Sequence, residues 1–472
     1  MNGNEIAEPA SPEKLALAEI RAAKRRSFLE TCEPSTVRIH RPIVNTDDVE
    51  GCLNPNGLGN ARKFSRMGNF GHNSGQSSVV FDSVEAYHEA TQPGHFSAYG
   101  AAEYGITLTP AAAALSEKIA NLHGGVGAII CPSGLSAITT TINAFLKTND
   151  SKPKVALLPE NVFFPAPRYL REEKKLEPIF YPGAASAAEV ASILDGILAT
   201  HDPADVMLWL EAPGNATFEI PDIKGIADLA RDRGVRSVMD NSWASHVRFR
   251  PLDYGIDIAI QSLTKSEAGY GDTPSGAVIA GNVEDLVRLQ RTLKISGNGA
   301  VAQEICRRVF NRIDSTKKRL DRHYATALKL MDWFSRQEGF VDRILCPALE
   351  NSPDHERFKQ YFGEGNGLFS IVFKDDIPAA KIKNFMNGLA LFRIAEGWGS
   401  HVSLVMLLNP NERKFSSWPK GAVMRFHAGL ENAQDLLRDL EQAGSRAFGP
   451  VVGARELMRG RDEPNPGQRH EI

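Results

Sequence analysis

The chain has 472 residues, which is enough for two or three domains that each bury their own core. Apolar residues make up 42% of the sequence and charged residues 24%, as in an ordinary globular protein. The net charge is −3 and there is no long basic run, so neither a nucleic acid nor a membrane is expected as a partner. No apolar run approaches the roughly 20 residues that a membrane-spanning helix needs.

The five cysteines are widely scattered and include no CxxC pair. Disulfide frameworks and zinc sites usually place cysteines at short, repeated spacings. The cysteines therefore predict a reduced, cytoplasmic protein without a disulfide framework, and no metal site is expected.

An N-terminal extension over residues 1–76 precedes the first strand-like segment. Residues 12–30 have helical periodicity among mixed charges and predict an arm that faces solvent or another subunit. Residues 31–76 are rich in Asn, Gly and Pro and predict irregular structure. Glutamates near the start of the chain argue against a transit peptide.

Apolar runs and helix-like segments alternate over residues 77–315. Pro110 opens an Ala-rich helix that is expected to end at His123, before Gly124. Continuous apolar strands separated by helices predict a mostly parallel sheet that is covered by helices on both faces. The runs that predict strands span residues 78–81, 127–131, 155–158, 206–210, 235–239, 256–262 and 277–280, and further helices are predicted over residues 185–199, 223–233 and 283–334.

A second alternating region over residues 316–450 predicts a smaller C-terminal α+β domain. Its predicted strands span residues 368–373, 391–394 and 423–427, and its predicted helices span residues 379–389 and 432–443. The tail over residues 451–472 is charged and contains prolines, which predicts disorder. The fold class is therefore predicted as α/β, with a mostly parallel large domain and a smaller α+β domain.

Two charged residues follow predicted strands of the larger sheet. Asp240 comes directly after one strand, and Lys265 comes shortly after the next. Ligands bind at the carboxyl ends of such strands, so both side chains are expected in one pocket. A lysine can form a Schiff base there and a carboxylate can pair with a pyridinium nitrogen, as a pyridoxal-phosphate (PLP) site requires. A surface lysine and a turn-capping aspartate are the alternatives.

Candidate phosphate donors lie near the same sheet edge. Gly134 and Leu135 open a helix after a strand, where the first N–H groups of the helix can bind an anion. The same residues are equally compatible with an ordinary turn. Ser262 and Thr264, which come just before Lys265, would add hydroxyl groups to the same phosphate.

Arg425 lies in an otherwise apolar predicted strand of the smaller domain. A buried arginine needs an acidic partner. One alternative is an internal salt bridge with an acid such as Glu431. The other is a bidentate contact with the α-carboxylate of a small-molecule amino-acid substrate.

Several separated motifs together resemble the Cys/Met-metabolism PLP enzymes (the trans-sulfuration enzymes), and among these most resemble the bacterial cystathionine β-lyases. The resemblance covers the chain from Ser77 to about Ala443. The motifs that carry it are Val80-Phe81-Asp82-Ser83-Val84-Glu85-Ala86, Asp240-Asn241-Ser242-Trp243-Ala244, Leu252-Asp253-Tyr254-Gly255-Ile256-Asp257, Thr264-Lys265, Trp398-Gly399 and Arg425-Phe426-His427-Ala428-Gly429-Leu430-Glu431.

The resemblance implies a type I aminotransferase-like fold, PLP as the cofactor and a homotetramer built as a dimer of dimers. It assigns Lys265 to the Schiff base and to proton transfer, Asp240 to the ring nitrogen, and Arg425 to the substrate carboxylate. Trp398 occupies a position at which β-lyases tend to carry tryptophan. The resemblance also implies phosphate contacts by Gly134, Leu135, Ser262 and Thr264.

The sequence departs from the family pattern at three positions. Tyr99 and Tyr104 are candidates for the tyrosine of a Tyr-x-Arg loop that reaches the neighbouring subunit's phosphate, but Ala101 and Ile106 stand where the arginine is expected. Phe164 stands for the tyrosine that stacks on the cofactor ring, so stacking is retained while the phenol is lost. Gly397 replaces the serine before Trp398.

These features predict a PLP-dependent carbon–sulfur lyase that catalyses β-elimination on cystathionine or a related sulfur amino acid. One alternative is γ-replacement or γ-elimination, as in cystathionine γ-synthase or γ-lyase, with the same parts. A second alternative, motivated by the missing phenol and arginine, is a paralogue that binds PLP without lyase turnover.

Overall fold

The computed structural model describes residues 27–28, 31–33, 84, 109–146, 153–296, 301–409 and 413–453. The predictions for residues 78–81, for Tyr104 and for the tail beyond residue 453 lie outside the described residues. The helices are α1 Pro110–His123, α2 Gly134–Phe145, α3 Pro165–Glu172, α4 Ala187–Leu198, α5 Ile223–Asp232, α6 Ser245–Arg248, α7 Val283–Ser296, α8 Gln303–Arg312, α9 Thr316–Ser335, α10 His355–Tyr361, α11 Ala379–Gly388 and α12 Ala433–Phe448.

The first sheet has seven strands and is mostly parallel. Its strands are β1 Gly127–Cys131, β2 Val155–Pro159, β3 Ile179–Tyr181, β4 Val206–Glu211, β5 Arg236–Asp240, β6 Ile258–Gln261 and β7 Gly276–Ala280, in the order β1-β7-β6-β5-β4-β2-β3. Strands β3, β2, β4, β5 and β6 are parallel to one another, whereas β7 is antiparallel to both β6 and β1. The carboxyl ends of β4, β5 and β6 therefore lie side by side.

Helices cover both faces of this sheet because successive side chains of a strand point to opposite faces. In β4, Met207 and Trp209 join a core with α2 and α7 on one face, whereas Leu208 and Leu210 join a core with α4 and α5 on the other. Burial on both faces accounts for the continuous apolar strands, and it confirms the predicted α/β arrangement.

The second sheet has five strands, in the order β10-β11-β12-β9-β8. Its strands are β8 Val341–Leu345, β9 Leu368–Phe373, β10 Arg393–Ile394, β11 Leu404–Leu408 and β12 Val423–His427. All its pairings are antiparallel except that of β10 with β11. Its core includes Phe369 and Phe426, whose rings stack with centroids 5.4 Å apart, and the apolar faces of α9, α11 and α12.

Most predicted elements are confirmed within a few residues, and the differences have local causes. The strand expected over residues 391–394 is wrong in its first half, because Leu391 and Phe392 are buried in the second core while only residues 393–394 pair with β11. Strands β3, β8 and β11 were not predicted. Strand β8 was missed because its apolar residues are interrupted by the exposed Asp342 and Arg343.

The described part of the N-terminal extension lies on α12. Phe28 and Cys32 pack against the second core. The backbone N–H of Glu33 donates to the Asp435 carboxylate at 2.9 Å, and the Arg438 guanidinium donates to the Thr31 carbonyl at 3.0 Å. This part of the predicted arm therefore contacts its own chain.

The helices in the described part of the chain include none that combines the length and the apolar character needed to cross a bilayer.

Two buried histidines connect α9 to β12 and its following loop. The rings of His323 and His427 lie 5.0 Å apart, and each contacts a backbone carbonyl, of Ala428 at 2.7 Å and of Ser400 at 2.9 Å. Burial lowers the pKa of His427 to about 4 and that of His323 well below its usual value. Both rings are therefore neutral in the folded protein at neutral pH.

This pair should make the folded protein sensitive to mild acid. Between pH 6.5 and about 4 the unfolded chain binds protons that the folded histidines refuse, so the free energy of unfolding should fall as the pH falls. Each histidine contributes up to about 1.4 kcal/mol per pH unit. In urea denaturation from pH 4 to pH 8, acidification below pH 6.5 should cost the wild type more stability than it costs His427→Gln, while the two profiles should run parallel above pH 6.5. An equal decline in the variant would contradict this assignment.

Candidate active site

Asp240 and Lys265 lie at adjacent strand ends, as their sequence positions predicted. Asp240 is the last residue of β5 and pairs with Ile260 of β6. Lys265 follows β6 in a turn that begins with a hydrogen bond from its N–H to the Ser262 carbonyl, at 3.1 Å. The charges of the two side chains influence each other, because each shifts the pKa of the other towards the ionised form.

The Asp240 carboxylate is buried, and the backbone hydrogen bond that it accepts comes from a neutral group. The backbone N–H of Ser242 donates to it at 2.9 Å, but burial is the larger effect and raises its pKa above the ordinary value. A buried carboxylate becomes stable when a cation is placed beside it. A protonated pyridine nitrogen is such a cation, so the environment of Asp240 fits the ring of PLP.

Glu211 is a neighbour of Asp240 that sequence reasoning missed. It ends β4, pairs with Asp240 across the sheet, and accepts a hydrogen bond from the Phe163 N–H at 2.7 Å. Burial and the charge of Asp240 raise the pKa of Glu211 well above its usual value. The raised pKa favours the protonated form of Glu211, so we assign the negative charge of the carboxyl pair to Asp240. Glu211 could have been found from the pattern that located Asp240, which is an acidic residue at the end of an apolar strand.

The Lys265 amine is mostly buried, and residues from the second half of the chain cover it. Its Nζ lies 5.2 Å from the ring centroid of Trp398. Gly399 has a φ of +77°, in the left-handed region, and a Cβ there would lie 2.9 Å from the Lys265 carbonyl carbon. Burial, followed by the positive charge of Arg425, lowers the pKa of Lys265 to about 8. An appreciable share of this amine is therefore uncharged near neutral pH, as attack on an aldehyde requires.

The rate at which PLP-free protein captures PLP should follow this ionisation. Because only the neutral amine reacts, the rate should rise about tenfold per pH unit below pH 8 and level off above it. Stopped-flow absorbance from pH 6 to pH 10 measures this profile. In Arg425→Met the midpoint should move to higher pH, because a charge that opposes lysine protonation is removed. A profile centred near pH 10.5, the usual value for lysine, would contradict the prediction.

The predicted phosphate residues approach each other closely. A Cβ on Gly134 would lie 2.7 Å from both Cβ and Oγ of Ser262, so only glycine allows α2 to begin this near to β6. Ser133 caps the helix by accepting a hydrogen bond from the Ser136 N–H at 3.0 Å. The first N–H groups of a helix have no intrahelical partner, so this corner fits an anion. Leu135, in the same turn, has an exposed side chain.

Thr264 makes two hydrogen bonds with the backbone of Ser275. Its hydroxyl donates to the Ser275 carbonyl at 2.9 Å and accepts from the Ser275 N–H at 3.0 Å. These bonds join the lysine turn to the segment that enters β7. The phosphate contact that the resemblance implies for Thr264 stays a prediction.

Arg425 enters the site from β12 of the second sheet. It is buried, and its guanidinium donates to the Glu396 carbonyl at 2.5 Å. Burial lowers the pKa of Arg425 to about 10, while the Glu396 carboxylate opposes this shift. The Glu431 carboxylate that was considered as its partner instead accepts hydrogen bonds from the N–H and hydroxyl of Ser403, both at 2.8 Å. A second carboxylate, such as that of an amino acid, would stabilise the guanidinium.

Phe164 lies apart from these groups. Its side chain is 55% exposed and borders a cleft of about 180 Å³ that Phe180, Arg171 and Lys414 also line. Its neighbour Phe163 is half-buried and is joined through its N–H to Glu211, beside Asp240. Phe163 is thus the member of the pair that the described contacts connect to the carboxylate end of the site.

The site therefore combines the buried amine of Lys265, the buried carboxylate of Asp240 and the guanidinium of Arg425. It also includes the start of α2, where Gly134 allows the helix to approach Ser262. These are the groups that bind an aldehyde, a pyridinium nitrogen, a substrate carboxylate and a phosphate. Such a set at the strand ends of a mostly parallel sheet defines a PLP-dependent enzyme.

The sequence model of the family described as Cys/Met metabolism PLP-dependent enzyme matches residues 68–444. The chain belongs to this family, and its cofactor is PLP.

Individual relatives share the family but differ in their named activities. A candidate cystathionine beta-lyase of Rhizobium johnstonii is 32% identical over 378 residues, which cover 79% of this chain and 90% of the relative. An L-alanine/L-glutamate racemase of Wolbachia pipientis is 30% identical over 345 residues, which cover 72% of this chain and 81% of the relative.

The fold is that of a solved family member. The crystal structure of cystathionine gamma synthase from Xanthomonas oryzae pv. oryzae, in complex with cystathionine, matches with a TM-score of 0.66 at 22% identity. The match covers 79% of this chain and 92% of that structure. The type I aminotransferase-like fold predicted from the sequence is confirmed.

Proposed function

We propose that the protein is a carbon–sulfur lyase that catalyses β-elimination on cystathionine or a related sulfur amino acid. The observation that carries this proposal is the contact between Trp398 and Lys265, with Nζ 5.2 Å from the ring centroid. The resemblance places tryptophan at this position in β-lyases. The similarity to the Rhizobium relative supports the same reaction.

In this proposal each side chain has one task. PLP, when bound, withdraws electrons from the Cα of an attached amino acid. Arg425 holds the α-carboxylate of the substrate, and the uncharged Lys265 amine removes the Cα proton. The electron pair of the broken Cα–H bond forms the Cα–Cβ double bond as the Cβ–S bond breaks, so the sulfur leaves as a thiolate. Asp240 holds the proton on the ring nitrogen throughout.

The cofactor contacts are proposed on the same basis. We assign Asp240 to the ring nitrogen, and Gly134, Leu135, Ser262 and Thr264 to the phosphate. The short separation between Gly134 and Ser262 supports a phosphate at that corner. For the aromatic residue beside the ring, the link from Phe163 to Glu211 supports Phe163 over Phe164.

Product analysis with a panel of amino acids tests the proposed reaction. Cystathionine should yield homocysteine, pyruvate and ammonia, which identifies β-elimination. Cysteine with 2-oxobutyrate would instead identify γ-elimination. L-Alanine and L-glutamate belong in the panel because the Wolbachia relative is named for racemising them; D-isomers without keto acids would assign the chain to that activity. PLP binding without any product would indicate a paralogue that binds the cofactor without lyase turnover.

Arg425→Lys should weaken substrate binding with little effect on the cofactor. Lysine keeps the charge but not the planar, two-pronged donor geometry that matches a carboxylate. A charged hydrogen bond contributes about 1.5–3 kcal/mol, so kcat/KM should fall by about 10- to 100-fold. Arg343→Lys, an exposed arginine on β8 of the same sheet, is the control and should retain full activity. Unchanged kinetics in Arg425→Lys would remove this residue from the substrate site.

We further propose residues 77–315 as the PLP-binding large domain, residues 316–450 as the smaller domain, and the flanking segments as extensions. The presence of one sheet in each region supports this division. A homotetramer and a cytoplasmic location are proposed from the family resemblance and from the scattered cysteines. Sedimentation velocity tests the tetramer, and a dimer as the largest species would reject it.

A further inference from the structure

Two histidines and a glutamate meet close to the turn that carries Lys265. His123 ends α1, His246 lies in α6, and Glu267 lies two residues after Lys265. One potential ligand atom from each side chain lies within 4.8 Å of the other two. Three separate segments therefore present nitrogen and oxygen donors to a single point.

His123 is fully buried and neither ring nitrogen has a hydrogen-bond partner. A buried polar group of this kind costs about 1–3 kcal/mol when it is left unpaired. Its nearest aromatic neighbour is the ring of His246, at 5.7 Å between centroids. Burial and the neighbouring His246 lower the pKa of His123 to about 3, so the ring is neutral. A neutral imidazole with a free nitrogen is the form that binds a metal ion.

Glu267 is also fully buried, and its hydrogen-bond donors are neutral. The Ser245 hydroxyl donates at 2.7 Å and the Gln261 amide donates at 3.1 Å. The nearest nitrogen of His246 lies 3.7 Å from the carboxylate, beyond a direct hydrogen bond. A carboxylate in this environment gains from a cation placed between it and the two rings.

We propose that His123, His246 and Glu267 form a binding site for one divalent transition-metal ion, with zinc as the best match. Two imidazoles and one carboxylate are a ligand set that zinc uses, and neutral imidazole favours transition metals over magnesium or calcium. Zinc binds nitrogen and oxygen at about 2.0–2.2 Å, so the side chains must close in by about 1 Å. The expectation that the chain has no metal site was drawn from the cysteine spacing, and the proposed site uses no cysteine.

The surrounding charges permit a cation at this point. Arg250 is the nearby positive group that acts on His123, and its guanidinium is bound to the Asp253 carboxylate, with Nε–Oδ2 at 2.7 Å. An ion would connect α1 and α6 to the turn that carries Lys265. The site is therefore structural, and it does not depend on which reaction the enzyme catalyses.

Zinc binding by the PLP-loaded, full-length protein tests the proposal. After treatment with a chelator and dialysis, the protein should bind about one Zn²⁺ per chain, measured by elemental analysis, and its thermal midpoint should rise with added Zn²⁺. His246→Gln and Glu267→Gln should each lower the affinity by more than about tenfold. His201→Gln, which changes a histidine remote from the cluster in sequence, is the matched control and should bind as the wild type does.

Cobalt substitution gives a second measurement that needs only the wild-type protein. Co²⁺ bound at this site should show visible absorption of a nitrogen- and oxygen-ligated ion, without a thiolate charge-transfer band. The proposal is overturned if the wild type retains no stoichiometric Zn²⁺ or Co²⁺, if a thiolate band appears, or if the folded His246→Gln and Glu267→Gln variants bind as tightly as His201→Gln.

Discussion

Lys265→Ala is expected to abolish turnover and to leave PLP bound only non-covalently. The substitution removes the amine that we propose both attaches the cofactor and takes the Cα proton. Loss of a general base alone reduces rates by about 10²- to 10⁴-fold, and loss of the covalent attachment adds to this. The variant should lose its PLP on dialysis, whereas the wild type should retain it and keep the visible absorption of lysine-bound PLP.

Lys381→Ala is the matched control, because Lys381 is an exposed lysine on α11. It should keep both cofactor and activity. Full activity in Lys265→Ala would exclude Lys265 as the catalytic amine, and covalent PLP on the variant would show that another lysine holds the cofactor. Mass spectrometry after borohydride reduction locates the modified residue.

Asp240→Asn is expected to lower the activity of the PLP-loaded protein without destabilising the PLP-free protein. Asparagine has the same shape without the charge, so the ring nitrogen loses the partner that keeps it protonated. Activity should fall by about 10²- to 10⁴-fold, as for the loss of a main electrostatic group in an active site. In the PLP-free protein, burial disfavours the charge of Asp240 and raises its pKa, so removing that charge should leave the thermal midpoint unchanged or higher.

Glu211→Gln provides a control that lies one strand away. Because burial and the charge of Asp240 raise the pKa of Glu211 well above its usual value, the protonated form is favoured, and the amide that replaces it is expected to change little. Its activity should stay within about threefold of the wild type, since it removes no charge. If Glu211→Gln were as inactive as Asp240→Asn, the shared negative charge would have to be reassigned to Glu211.

The sequence predicted the positions of Asp240 and Lys265 because periodicity alone locates strand ends in a parallel sheet. Glu211 occupies the same kind of position, directly after the predicted strand over residues 206–210, and the reasoning that located Asp240 would have located it too. The direction of a side chain in a turn is harder to predict. Phe163 and Phe164 are adjacent and identical in type, and they are distinguished only by the structure, through their burial and the hydrogen bond from the Phe163 backbone to Glu211.

Contacts between distant segments were beyond sequence reasoning for a different reason. His123, His246 and Glu267 have no short spacing that would identify a metal site, and they meet only because α1, α6 and the lysine turn pack together. The contact of Arg425 with the backbone carbonyl of Glu396 could not be predicted either, because every residue has a backbone carbonyl. Tertiary packing, rather than residue type, determines both arrangements.

The approach of Gly399 to the Lys265 backbone sets the spacing between two groups of the site. A Cβ at position 399 would lie only 2.9 Å from the Lys265 carbonyl carbon, so the loop that carries Trp398 packs directly on the lysine turn. Any residue with a side chain at this position would push the loop and the turn apart. The distance between the indole ring and the Lys265 amine therefore depends on a residue that contributes no side chain of its own.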